Sequence, residues 1–210
     1  MRNNQIKKIA FTGIIIALIF ILSFTPIGYI HVSFLPGVSI TLIHIPVLIG
    51  AIVLGKKYGA VLGLIFGITS IILAFLNLAT NAPFTNPLAS ILPRIVFGFL
   101  IAPLYSLIKK LIKNDIVSTS LTMCLATLIH TIIVLIPLFI IWRTGFYFGA
   151  EDYAANYGSG EGQTVFTFIY ATLISNGIIE IVLAGVIGTP IAMAMKVVLQ
   201  KNNYNEETHD

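Results

Sequence analysis

The chain alternates long apolar runs with short polar or charged segments, and this alternation is the strongest pattern in the sequence. Apolar runs of about 17–25 residues can each cross the ~30 Å hydrocarbon core of a bilayer, because a helix satisfies its own backbone hydrogen bonds. The runs predict membrane helices at about 9–24, 42–55, 59–77, 89–108, 116–142 and 164–195. We therefore expect an all-α membrane protein, a six-helix bundle that forms a single integral membrane domain over residues 1–210.

The basic residues predict how this bundle is oriented across the membrane. Ten of the 12 Lys and Arg residues fall before the first run, between the second and third, between the fourth and fifth, or after the sixth. The two exceptions are Arg94 and Arg143. Cytoplasmic loops carry an excess of Lys and Arg, so both termini are expected in the cytoplasm. Because the positive charges occur in twos and threes at helix ends, the net charge of +4 indicates orientation and not nucleic-acid binding.

Composition narrows the class further. With 57% hydrophobic and 10% charged residues, the chain is unlike a soluble domain, in which roughly a quarter of the residues are charged. Six crossings in 210 residues leave no room for a soluble catalytic domain. Cys124 is the single cysteine, which excludes a disulfide within the chain, and no pair of His or carboxylate residues has metal-ligand spacing on one helix. We expect neither a metal site nor an enzyme.

The segment from Gly50 to Lys56, GAIVLGK, matches the core of a phosphate-binding loop. Lys57 follows where a Ser or Thr should reach magnesium, and the glycines belong to an apolar crossing instead of a strand-to-helix turn. We therefore expect no ATP site in this chain. If the chain moves a solute across the membrane, that step needs a partner, an ion gradient or downhill flow.

Small residues at four-residue spacing mark two helix faces that can approach a neighbour closely. In the third predicted helix, Gly59, Gly63 and Gly67 predict a tight seam with another helix of the same chain. A second stripe, in the first helix, fits either internal packing or docking onto a partner membrane protein. This stripe consists of Ala10, Gly13 and Ala17.

Four ionisable side chains lie at membrane depth, where such groups are rare and by default indicate a function or a buried pair. They are Arg94, Glu180, His130 and His44. Counting from the cytoplasmic ends at 1.5 Å per residue puts the first three about 22–24 Å above the inner face, and His44 about 18 Å above it. Arg94 and Glu180 either bind a ligand or form an ion pair between the fourth and sixth helices. Each histidine is either a ligand contact or hydrogen-bonded to a neighbour.

Neutral polar residues crowd the outer half of the bundle. Asn amides both donate and accept hydrogen bonds, which suits a substrate rich in hydroxyl and amide groups. The candidates are Asn77, Asn81, Asn86 and Asn176. Turn formation is the alternative for the loop residues, especially for Asn86 before Pro87. The apolar loop from Thr25 to Pro46 contains several Pro and Gly residues and is expected to fold over the outer mouth as a lid.

The chain resembles a known family in two longer runs, HIPVLIGAIVLGKKYGAVLGLIFGITS at 44–70 and NPLASILPRIVFGFLIAPLY at 86–105. Together with Gly13-x-x-x-Ala17, a capping first loop and six crossings, these runs resemble the substrate-binding S component of an energy-coupling factor (ECF) vitamin transporter. The resemblance covers nearly the whole chain. The element Pro93-Arg94-Ile95 with Gly98 is most similar to the pantothenate-type members.

The resemblance implies a subunit of a bacterial plasma membrane that captures a water-soluble vitamin outside the cell. A membrane coupling protein (the T component) and two ATP-hydrolysing subunits would drive release inside, so this chain itself would need no cofactor. Pantothenate fits the predicted pocket, because Arg94 offers a bidentate fork for its carboxylate and the Asn and Thr groups suit its hydroxyls and amide. Glu180 would then hydrogen-bond a hydroxyl or orient Arg94, since a second carboxylate would otherwise repel the ligand.

Other functions stay open at this point. A cationic or neutral vitamin of the riboflavin, pyridoxine, folate or thiamine type would use Glu180 as a counter-ion and Arg94 as its structural partner. A self-sufficient secondary transporter would usually show internal repeats and broken helices, and no convincing repeat relates residues 1–105 to 106–210. An intramembrane enzyme would need a nucleophile-base or metal constellation that Arg94, His130 and Glu180 do not provide.

Overall fold

The computed structural model describes residues 2–31, 39–76, 78, 82–144, 146 and 173–207. Five α-helices are α1 (Arg2–Phe24), α2 (His44–Leu54), α3 (Lys56–Leu76), α4 (Pro87–Leu111) and α5 (Asp115–Thr144). A sixth, α6, runs unbroken over residues 173–207. Its successive segments are Leu173–Gly177, Ile178–Leu183, Ala184–Gly188 and Thr189–Glu207. Short 3₁₀ turns occupy Pro26–Gly28 and Ala82–Thr85, and two strands, β1 (Tyr29–His31) and β2 (Ser39–Thr41), form a hairpin.

The prediction of an all-α membrane protein is confirmed, and the predicted bounds of α2 to α5 agree with the structure within three residues. Helix α1 begins earlier than predicted because the helix continues through the polar residues that precede the apolar run. The first part of the predicted sixth helix, 164–172, lies outside the described residues. Within the described ranges, five helices are long and apolar enough to cross a membrane.

Helix α2 is the exception, with 11 residues and a length of about 16 Å at 1.5 Å per residue. It is the centre of the bundle, because all of its residues except Val53 are buried. An uninterrupted apolar sequence is what such a fully enclosed helix needs. Gly55 ends α2 with φ of +99°, a conformation that L side chains rarely adopt, and so lets the chain turn directly into α3. Gly50 lies inside α2 and not in a strand-to-helix turn.

The loop before α2 folds back on itself as an antiparallel hairpin. Tyr29 pairs with Thr41, and His31 pairs with Ser39. The amide of Leu42 donates to the carbonyl of Gly28, 3.0 Å away, and joins the base of the hairpin to the start of α2. The sequence predicts a lid over this stretch but not its strands.

The predicted glycine seam is confirmed. A Cβ built on Gly59 would lie 2.2 Å from the carbonyl oxygen of Gly98, and one on Gly63 would lie 2.1 Å from that of Arg94. A Cβ built on Gly67 would lie 2.8 Å from the Cα of Ile91. Since rising numbers in α3 meet falling numbers in α4, the two helices run antiparallel. Only glycine permits this backbone approach, which is the usual basis of helix association in lipid.

Helix α6 contains two π-helical turns, Leu173–Gly177 and Ala184–Gly188. The second lies directly before Thr189 and Pro190. Because proline lacks an N–H and crowds the preceding turn, a local change of register lets the helix continue through it. Gly188-Thr189-Pro190 therefore does not end the helix.

Three helices meet at a polar network around Lys196. Its ammonium donates to the hydroxyl of Tyr105 at 2.6 Å and to Oγ1 of Thr119 at 2.9 Å. The Tyr105 hydroxyl in turn donates to Asp115, which also pairs with Lys109 at 2.5 Å. The end of α4, the start of α5 and the middle of the last segment of α6 therefore lie on the same side of the bundle.

Candidate functional site

Arg94 lies in the interior of the bundle, where only 5% of its surface is exposed. Its guanidinium carbon is 5.6 Å from the ring centre of Phe66 in α3 and 5.2 Å from that of Phe84 in the 3₁₀ turn before α4. Both distances are within the range in which a cation is attracted to an aromatic face. The two rings therefore stabilise the positive charge and fix the position of the guanidinium.

The residue before Arg94 explains part of this placement. In a regular helix the amide of residue 93 would donate to the carbonyl of Ala89, but Pro93 has no N–H. Nη1 of Arg94 donates to that carbonyl instead. A backbone acceptor in a membrane interior must find a donor within the protein, and the neighbouring arginine supplies one.

His44 and His130 form a stacked pair beside this arginine. Their ring centres are 5.8 Å apart with an angle of 16° between the planes. His44 is the first residue of α2 and is fully buried, whereas His130 lies in the middle of α5 and is 6% exposed. The His130 ring also contacts Phe97 of α4, at 4.4 Å between centres, and Phe66, at 5.8 Å.

Phe66 is thus shared by Arg94 and His130, which places the arginine and the two histidines in one cluster. The sequence puts Arg94, His130 and Glu180 at one level. Phe66 brings Arg94 and His130 together and His44 joins them, whereas Glu180 bonds to Thr41. Four elements contribute: α2, α3, α4 and α5. We call these three residues, with Phe66 and Phe97, the Arg-His cluster.

Glu180 has a different partner from the one expected. Its Oε1 accepts a hydrogen bond from the backbone amide of Thr41 at 2.8 Å and another from the Thr41 hydroxyl at 2.7 Å. Among the described residues this carboxylate is bound by the end of the hairpin and not by Arg94. The proposed ion pair between the fourth and sixth helices is therefore not formed. Glu180 instead joins β2 to α6 through Thr41, which lies three residues before His44.

The structure describes two of the four candidate asparagines, Asn86 and Asn176. Asn86 caps α4, since its Oδ1 accepts from the amide of Leu88 at 2.9 Å, and its Nδ2 donates to the carbonyl of Phe146 at 3.2 Å. The turn-forming alternative accounts for the contact with Leu88, whereas the contact with Phe146 joins the start of α4 to the chain beyond α5. Asn176 lies half-buried in the first π-turn of α6, about one turn before Glu180. Asn77 and Asn81 lie outside the described residues.

The small-residue stripe of α1 faces outward. Ala10, Gly13 and Ala17 are all exposed, and a Cβ built on Gly13 would meet nothing within 4 Å. The opposite face of α1 carries Ile15 and Ile19, which are buried in the core. The stripe therefore takes no part in packing among the described residues, and its role in docking stays a prediction.

Sequence reasoning missed the aromatic and hairpin partners. Phe66, Phe84 and Phe97 resemble many other aromatic residues of an apolar chain, and no pattern distinguishes them. Thr41 also carries no signal, because its role depends on a contact with a residue 139 positions away. The signals that do point to the cluster are the ionisable residues at membrane depth, Arg94, His130 and His44, and the proline directly before Arg94.

A multi-pass bundle with an arginine and two histidines buried at membrane depth has the features of a site for a small polar molecule. Residues 7–192 match the family described as the substrate-specific component of ECF transporters. The chain belongs to this family, and it is a transport protein of a bacterial plasma membrane and not an enzyme.

Two relatives fit this assignment. The chain is 25% identical over 211 residues to the pantothenic acid transporter PanT of Lactococcus lactis subsp. cremoris, covering 93% of this chain and 96% of that protein. It is 31% identical over 105 residues to the pantothenate transporter PanT of Leuconostoc mesenteroides subsp. mesenteroides, covering 48% of this chain and 52% of that protein.

Proposed function

We propose that this chain is the substrate-binding subunit of an ECF transporter that takes up pantothenate. The observation that carries the proposal is the buried guanidinium of Arg94, held between Phe66 and Phe84 beside two buried histidines. The names of the two relatives support the same substrate.

A carboxylate is the natural ligand for this arginine. A positive charge in a membrane interior is costly unless another group stabilises it, and a guanidinium binds a carboxylate through two parallel hydrogen bonds. It carries five N–H donors, so the hydrogen bond to Ala89 is compatible with a bidentate clamp. Pantothenate supplies one carboxylate at the end of a flexible chain.

The rest of pantothenate matches the surroundings of Arg94. Its gem-dimethyl group suits the apolar rings of Phe66 and Phe97, and its amide and hydroxyls need partners that both donate and accept. Asn176 is a candidate partner from α6, and Asn77 and Asn81 remain candidates from the outer end of the third helix. Glu180 acts by holding the hairpin that covers the start of α2.

Six crossings with both termini in the cytoplasm are consistent with these contacts. Helix α2 is too short to cross ~30 Å alone, so in this proposal it makes one crossing together with the preceding hairpin. The Lys196 network joins Lys109 in α4 to the last segment of α6, so basic residues from two helices lie on one side. That side is the cytoplasmic one by the positive-inside rule.

Transport requires partners in this proposal. A T component docks on the exposed stripe of Ala10, Gly13 and Ala17, where small residues allow close helix approach. Two ATPase subunits hydrolyse the ATP that drives release into the cell. This chain contributes substrate binding and needs no cofactor of its own.

The test separates binding from transport. The purified chain alone should bind pantothenate tightly in nanodiscs, with riboflavin and thiamine as comparison ligands. In liposomes the lone chain should show no ATP-driven uptake, whereas addition of the T component and the two ATPases should restore accumulation. Active accumulation by the lone chain would replace this proposal with a gradient-driven carrier. Mass spectrometry of the molecule retained on the purified chain would reveal a different vitamin.

A further inference from the structure

The histidine pair contains buried polar atoms that the described residues leave without hydrogen bonds. Both ring nitrogens of His44 and Nε2 of His130 have no hydrogen-bond partner there. The backbone of Thr41 lies beside the His44 ring but outside hydrogen-bond geometry. Such atoms lose their hydration on burial and gain nothing in return, so they are rare in folded proteins.

Packing alone does not explain the two imidazoles. The two imidazole rings stack on each other, and the His130 ring also contacts Phe66 and Phe97. A phenyl ring at either position would make the same contacts without burying a nitrogen. These nitrogens therefore need partners from beyond the described residues, which a ligand group, or water that a ligand displaces, can supply.

The chemistry of the site selects the ligand group. A neutral imidazole presents one donor and one acceptor, and a hydroxyl likewise donates and accepts, so the two are complementary. The nearby guanidinium of Arg94 opposes a cation. Because Arg94 and His130 contact the same ring, their separation is at most the sum of 5.6 and 5.8 Å, within reach of one small molecule.

We infer that His44 and His130 form a hydroxyl-binding subsite, and that the Arg-His cluster as a whole selects a carboxylic acid that carries a hydroxyl several bonds away. This inference rests on the proposed function, which makes the cluster the substrate site. It adds the orientation of the ligand, with the carboxylate at Arg94 and the hydroxyl end at the histidines.

The variants His44→Phe and His130→Phe test the subsite without ligand. They keep the ring contacts and remove the unsatisfied nitrogens, so the ligand-free protein should melt at the same temperature as the parent or higher. Phe97→Leu is the matched control, because it disturbs packing around His130 without removing a polar atom, and it should melt lower. A clear fall in the melting temperature of both His→Phe variants would overturn the inference, since it would mean that the imidazoles have internal partners.

A second measurement uses pantothenate and an analogue that lacks both hydroxyls. The parent and Ile101→Val, a change in the buried core of α4 outside the cluster, should prefer pantothenate. Either His→Phe variant should lose about two- to tenfold of that preference, the worth of one hydrogen bond. Preserved discrimination in both variants would overturn the subsite. If the parent binds no pantothenate, the proposed substrate is wrong. The melting experiment still decides whether the imidazole nitrogens have hydrogen-bond partners within the chain.

Discussion

Nη1 of Arg94 donates to the carbonyl oxygen of Ala89, the acceptor that Pro93 leaves without its helical donor. The proline and the arginine therefore act as a unit: one frees a carbonyl in the membrane interior and the other satisfies it. This contact gives Arg94 a structural role in addition to the proposed binding of a carboxylate. The two roles can be separated by experiment.

Arg94→Ala is expected to weaken pantothenate binding by roughly 2–5 kcal/mol, the range for truncating one partner of a buried charged pair. Arg94→Lys should recover only part of this loss, because an ammonium keeps the charge but loses the planar fork. Calorimetry on the purified variants measures both effects. The same Arg94→Ala variant should also melt at a lower temperature without ligand, because the Ala89 carbonyl loses its donor.

The double variant Pro93→Ala with Arg94→Ala separates the two roles. Alanine at 93 restores the helical N–H for Ala89, so ligand-free stability should return toward that of the parent while affinity stays low. Pro93→Ala alone is the control and should bind normally. If Arg94→Ala lowers stability but leaves affinity unchanged, the carboxylate clamp is wrong, and the chemical argument for pantothenate weakens with it.

One added methyl group should disturb the close packing of α3 against α4. Gly63→Ala would place a Cβ 2.1 Å from the carbonyl oxygen of Arg94, so the helices must separate. Overpacking of this kind costs about 1–3 kcal/mol. We expect a lower melting temperature and, because the backbone of Arg94 moves, weaker substrate binding.

Gly13→Ala is the matched control for the seam. It makes the same chemical change in a membrane helix, but its Cβ meets nothing within 4 Å. The ligand-free melting temperature should therefore equal that of the parent or rise slightly, because alanine favours a helix more than glycine does. Equal effects of the two substitutions would show that helix propensity and not the close approach decides the outcome.

The helices and the seam could be predicted because their signals are local. A long apolar run identifies a membrane helix wherever it packs, and glycines at positions 59, 63 and 67 define one face of a helix before its neighbour is known. The Arg94 and His130 levels could be estimated for the same reason, since the rise per residue is constant.

Features that depend on contacts between distant segments could not be predicted. The carboxylate of Glu180 satisfies the amide and hydroxyl of Thr41, and nothing near either residue specifies the other. Depth alone suggested Arg94 as its partner, but depth leaves the position around the bundle undetermined. The β-hairpin was missed because strands of three residues are too short for a periodic pattern to identify them.

Glu180 is expected to act on the hairpin and not as a counter-ion of the substrate. Glu180→Gln keeps an oxygen that can accept both hydrogen bonds from Thr41, so stability and affinity should stay close to the parent. Glu180→Ala removes both bonds and should cost about 1–3 kcal/mol of stability. Hydrogen exchange of the Thr41 amide should also become faster in Glu180→Ala.

Thr41→Val gives a smaller matched change at the other end of this contact, because only the hydroxyl bond is lost. Its effect should be about 0.5–1.5 kcal/mol. The effects of Thr41→Val and Glu180→Ala should not add, since both act on one interaction. A large loss of affinity in Glu180→Gln at unchanged stability would contradict this role and favour a cationic vitamin with Glu180 as counter-ion.

The exposed stripe of α1 makes the last prediction. Gly13→Trp or Ala17→Leu would fill the shallow face that a partner helix needs for close approach, while the buried Ile15 and Ile19 on the opposite face keep α1 in the bundle. We therefore expect uptake by the complete transporter to fall, with substrate affinity of the isolated chain unchanged. Ile14→Leu is a conservative control, because Ile14 is also exposed on α1 and the change adds no bulk.

Uptake in proteoliposomes, calorimetry on the isolated chain and co-purification with the T component give the three readouts. If affinity collapses while co-purification persists, the stripe supports the fold of this chain and the docking role is wrong. If uptake and co-purification both stay at the parent level, the T component binds elsewhere, since a tryptophan at Gly13 cannot be accommodated in a closely packed helix pair.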